Sequence, residues 1–101
     1  MKPEQIQAVN KVADEIVVAH LKLKFLCPQR QGNYWFNPYK VLNLQRLKKP
    51  LLAQLIDYLD KHLGLSARFN SLTQMIHVTV DESKVVMNVE QCQLYARLRS
   101  A

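Results

Sequence analysis

Between Ile16 and Ile56 the chain carries no Asp or Glu, yet it holds seven basic residues and five aromatics. The basic residues are Lys22, Lys24, Arg30, Lys40, Arg46, Lys48 and Lys49; the aromatics are Phe25, Tyr34, Trp35, Phe36 and Tyr39. At the centre stands PQRQGNYWFNPYK, Pro28 to Lys40, where amides, aromatic rings and cations alternate closely. Each residue type has a defined chemistry toward an anionic polymer. Lys and Arg neutralise phosphates and release counterions, with about one unit of salt slope per contact. Aromatic faces stack on unpaired bases, at about 1–3 kcal/mol per base. Amides such as those of Gln29, Gln31, Asn33 and Asn37 match base edges and phosphate oxygens. The expected binding set is therefore Lys22, Lys24, Arg30, Tyr34, Trp35, Tyr39, Lys40, Arg46, Lys48 and Lys49, with DNA or RNA as partner.

The plain alternative is that Tyr34, Trp35 and Phe36 pack into the core while the lysines form a solvated face. If that segment is extended, at least one of the three consecutive aromatics must point away from the others. A second functional reading uses the same loop as a protein-interaction module, an adaptor, subunit or inhibitor docking on an acidic surface. Trp, Tyr and Arg dominate interface energetics, and this loop concentrates them. A homodimer built on the apolar helix Leu51–Leu63 or on an open hairpin edge is a variant of that idea.

Signs of catalysis are thin. The carboxylate pairs Asp14/Glu15 and Asp57/Asp60 fall on polar helix faces, and Asp57 with Lys61 reads as a surface ion pair. His20, His62 and His77 stand apart from one another and from any adjacent acid or thiol. Neither Cys27 nor Cys92 lies in a metal-ligand spacing, so no metal site is expected. With only two glycines the chain has no phosphate-cradling loop, and no cofactor is expected. The reading is a binding protein, not an enzyme.

Length and composition agree with one small domain. The 101 residues are 49% hydrophobic, enough for a packed core. The net charge of +6 is lopsided: residues 1–50 hold nine Lys/Arg against three carboxylates, and the remainder holds five of each. A cationic half with a neutral half points to an anionic partner more than an evenly basic chain would. The polar opening MKPEQIQ does not read as a secretory leader, and no apolar run is long enough for a bilayer span. A cytoplasmic setting without a membrane partner is expected, with Cys27 and Cys92 as buried free thiols in preference to a disulfide.

The elements that must position the basic-aromatic segment follow from periodicity. Ile6, Val9, Ala13, Ile16 and Val17 recur at helical spacing behind Pro3, predicting a helix from Pro3 to about Val18. Leu21, Leu23 and Phe25 then alternate with Lys22 and Lys24, predicting a strand over residues 19–26, with a helix continuing to Leu26 as the rival. Gln31-Gly32-Asn33 marks a turn, Tyr34–Phe36 a short strand or aromatic loop, and Asn37-Pro38 the cap and first residue of a helix to about Leu47. Pro50 opens a second helix, whose apolar face is Leu51, Leu52, Leu55, Ile56, Leu59 and Leu63, with Gly64 as its stop. Residues 68–73 read as irregular, with a short strand near Phe69. Met75–Val80 and Lys84–Val89 flank Asp81-Glu82-Ser83 as a β-hairpin, and a short helix over Glu90–Leu98 closes the chain. The sum is an α+β domain running helix, strand, aromatic loop, helix, helix, hairpin, short helix. Within it, helix–strand–helix–helix–hairpin is the element order of winged-helix domains. The longest helix would then be the recognition helix, and its Asp57 and Asp60 would repel phosphates, which again directs contacts to the loop and to the helix from Pro38.

Overall fold

In the computed structural model, which describes residues 1–29 and 32–100, a mixed α+β domain is formed by four helices and a three-stranded antiparallel sheet. The elements are α1 (Pro3–Leu26), β1 (Tyr34–Phe36), α2 (Pro38–Val41), α3 (Lys49–Leu63), β2 (Leu65–Asn70), β3 (Met75–Val80) and α4 (Val89–Ser100).

Helix α1 does not give way to a strand at residue 19. Its buried stripe, Val9, Ala13, Ile16, Val17 and Leu21, keeps helical spacing through the disputed region, and Leu21 is only 2% exposed. Lys24 lies off that stripe, where it meets the Glu82 carboxylate. The helix ends where the Cys27 N–H donates to the Leu23 carbonyl at 2.9 Å, one residue before Pro28.

Helix α2 is a single turn instead of running to Leu47. Asn37 caps it, its Oδ1 accepting from the backbone N–H of Tyr39 at 2.9 Å. Asn43 then takes φ 55°, and the Leu44 N–H returns to the Tyr39 carbonyl at 2.9 Å, closing the helix. Helix α3 matches expectation, burying Leu55 and Leu59 completely. Leu51, Leu52, Ile56 and Leu63 of the same face are partly buried against that core.

The hairpin is not the expected one. Residues 84–89 form no strand; β3 pairs instead with β2, across the turn Ser71–Gln74. The Oδ1 of Asn70 accepts from the N–H groups of Leu72 and Thr73, and Gln74 takes φ 59°, which builds that turn. The other edge of β3 pairs with β1. With both edges occupied, β3 has none left for residues 84–89. The Asp81 backbone carbonyl accepts from the N–H groups of Lys84 and Val85, and the Val86 N–H donates to the Leu63 carbonyl at 3.0 Å, pinning this segment to the end of α3.

One sheet face packs on the helices through Phe36, Leu65, Ile76 and Val78, joining the α1 and α3 stripes in one core. Helix α4 opens with a reciprocal cap: the Asn88 N–H donates to Gln91 Oε1 and the Gln91 N–H to Asn88 Oδ1. Gln91, 5% exposed, also donates through Nε2 to Asp14 Oδ1 at 2.7 Å, which fixes α4 on α1. Cys27 and Cys92 are free, as expected, but exposed: Cys27 follows the last residue of α1, and Cys92 is not on the buried side of α4, which is held by Gln91. Among the described residues, no helix is long and apolar enough to cross a membrane.

Candidate nucleic-acid interface

Strand alternation divides the three consecutive aromatics. Tyr34 and Phe36 point toward the helices, and Trp35 points outward, 46% exposed. The register places Trp35 opposite His77 on the central strand and His77 opposite Arg68 on β2, so the three side chains form one row across the sheet. The indole packs on the imidazole, ring centroids 4.4 Å apart and planes 38° apart. Arg68 is exposed at the far end of the row. Ser66 and Thr79 are paired in the neighbouring row on the same face, and none of these side chains is a carboxylate. The carboxylates stand at the margins. Glu15 of α1 lines the groove beside Trp35, while Asp57 and Asp60 of α3 line the groove beyond Ser66.

The other expected residues scatter. Tyr34 is half-buried; its hydroxyl lies 3.4 Å from His20 Nδ1, and desolvation pushes the phenol pKa up. The Tyr39 hydroxyl donates to Gln74 Oε1 at 2.5 Å, tying α2 to the β2–β3 turn. Lys24 is already paired with an acid. Its ammonium pairs with the Glu82 carboxylate and lies 5.3 Å from the Phe25 ring and 5.9 Å from the Tyr95 ring. Lys22, Lys40, Arg46, Lys48 and Lys49 are exposed, and none has a carboxylate partner among the described residues. Arg30 lies outside the described residues.

His77 and Arg68 were not among the expected residues. Alternation in MIHVTV already sends His77 to the face opposite Ile76 and Val78. Only the strand pairing sets it between Trp35 and Arg68, and Arg68 lies in a segment that reads as irregular. Glu82 was likewise assigned to a hairpin turn, whereas it reaches α1 to meet Lys24 and, at 3.4 Å, His20 Nε2.

The hydrogen bond from Lys24 holds the Glu82 carboxyl below its ordinary pKa, and the same contact raises that of Lys24. A depressed carboxyl pKa contributes stability at neutral pH that is lost as pH falls through it; a raised lysine pKa contributes stability lost as pH rises through it. Both groups are largely solvated, so the effect is small. Glu82→Gln should lower the urea midpoint slightly at pH 7, and the difference should shrink as pH falls through the depressed Glu82 pKa. Equal midpoints at pH 7 would show that the pair contributes nothing.

Compared with protein-family models, curated proteins and solved structures, the chain finds no match.

Proposed function

We propose that this protein binds nucleic acid and does not transform it. The observation that carries this reading is the outward row Trp35–His77–Arg68, which sets an exposed indole and a guanidinium on a sheet face without carboxylates. The row supplies a stacking surface and a phosphate contact. Lys40, Arg46, Lys48 and Lys49, exposed and without a carboxylate partner among the described residues, supply a general attraction for phosphates. A winged-helix mode of binding, with α3 in a major groove, gains less support. The solvent side of α3 carries Asp57 and Asp60, and Lys61 is paired with Asp57 at 3.0 Å. The β2–β3 turn, by contrast, is neutral, from Ser71 to Gln74, and carries no acid that would repel phosphates.

The test is fluorescence anisotropy of labelled oligonucleotides across a salt series. Replacing Lys40, Lys48 and Lys49 together with Ala should weaken binding and reduce the salt slope, by up to about three units if each touches a phosphate. An unchanged slope removes these residues from the interface. If no oligonucleotide binds at low salt, the nucleic-acid reading fails, and a protein partner with an acidic surface becomes the reading to pursue.

A further inference from the structure

We infer that the outward sheet face is a platform for single-stranded nucleic acid, with one base stacked on Trp35 and the phosphate of a neighbouring nucleotide at Arg68. This rests on the nucleic-acid reading above and adds to it the strandedness of the ligand and the roles of residues on β2 and β3. The argument starts from what each ligand can offer. A duplex keeps its base faces stacked inside and presents phosphates and groove edges, so an exposed indole face finds no ring to cover. A single strand presents free base faces, and any base stacks on an aromatic ring.

The geometry favours the second ligand. Trp35 is 46% exposed on an open face, not on a protruding loop that would wedge between base pairs. One side of its ring is covered by His77, with centroids 4.4 Å apart, which leaves the remaining indole surface to meet a ligand. His77 is thus a positioning residue: it limits the rotamers of Trp35, so less freedom is lost when a base stacks. Adjacent strands lie about 4.8 Å apart, so the guanidinium of Arg68 enters the face roughly 10 Å from the strand that carries Trp35. That separation suits contact with a base and with an adjacent phosphate, and the hydroxyls of Ser66 and Thr79 in the next row offer further donors to backbone oxygens. Glu15 and the pair Asp57/Asp60 bound the platform on its two sides, which confines an anionic backbone to the strip between them.

The experiment compares a fluorescein-labelled 12-nucleotide single strand, as DNA and as RNA, with the duplex of the same sequence. Anisotropy gives affinity, and intrinsic emission reports the face directly, because Trp35 is the sole tryptophan. The expected result is single-strand binding at least about tenfold tighter than duplex binding, with Trp35 emission quenched on titration. Trp35→Ala should weaken the single strand about tenfold or more and barely change the duplex, while Trp35→Phe, which keeps a ring, should retain most of the affinity. Arg68→Gln should lower the single-strand salt slope by about 0.7, the value of one phosphate contact. Equal affinity for both ligands with no Trp35 response overturns the platform but leaves nucleic-acid binding in place. Absence of binding to either ligand overturns both. Should Trp35→Ala fail to fold, Arg68→Gln decides: an unchanged affinity and slope overturns the platform.

Discussion

Gly64→Ala should cost about 2–5 kcal/mol of folding stability, a large share of the roughly 5–15 kcal/mol available to a domain of this size. Two separate effects add. Gly64 ends α3 with φ 65°, in the left-handed region where a Cβ crowds the backbone. A Cβ there would also come within 1.9 Å of the Lys84 backbone oxygen and 2.9 Å of the Val85 Cα. These are backbone atoms and cannot swing aside as a side chain would. Relief requires moving the 84–86 segment, which the Val86 N–H holds to the Leu63 carbonyl at 3.0 Å. Gly64 is also the single residue between α3 and β2, so a shift there moves the strand that carries Arg68. The check is urea unfolding followed by circular dichroism. Gly64→Asn separates the two effects, since Asn tolerates the left-handed region but has the same Cβ. If backbone contact dominates, Asn and Ala cost alike; if conformation dominates, Asn costs much less. A midpoint unchanged by Ala would overturn both effects.

Phe36→Ala should destabilise the fold by about 3–5 kcal/mol, whereas Trp35→Ala, one residue earlier, should cost far less stability. Phe36 is 6% exposed and packs from the edge strand into the core shared with α1 and α3, so truncation leaves a cavity that the neighbouring side chains only partly fill. Trp35 points the other way and loses mainly its contact with His77. Thermal and urea unfolding of both variants give the comparison directly. Equal losses would mean that Trp35 is a core residue and that the outward face is not open.

The same pair of neighbours shows how far the chain can be read from its sequence. That one of Tyr34, Trp35 and Phe36 must face away from the others follows from strand alternation alone. Which one faces solvent depends on which side of β1 the helices cover, and no local pattern carries that. The error at residues 19–26 has a similar cause. Leu21, Leu23 and Phe25 satisfy a period of two, but Leu21 also continues the buried stripe from Val9. The helix prevails because its packing against the core, and against α4 through the edge-on contact of Phe25 with Tyr95, outweighs local alternation. The shortening of α2 was legible in principle, since Asn43 is one of the few residue types that readily takes the left-handed conformation.

By itself, the sequence determined the α+β class, the cap at Asn37, the long amphipathic α3 with its stop at Gly64, and a cationic, aromatic-rich first half. These are local properties: helical spacing, turn chemistry and charge are written in residues close along the chain. Tertiary structure alone decided which strands pair. Leu65–Asn70 and Lys84–Val89 both lie close in sequence to Met75–Val80, and the first segment took the edge that local pattern assigned to the second. That choice brought Arg68 and His77 beside Trp35, while Lys24 was drawn away to Glu82, 58 residues distant along the chain. The physical reason is that a central strand has two edges and no more. Once β1 and β2 occupied them, Lys84–Val89 was left to bridge the end of α3 to α4, and the candidate binding row was complete.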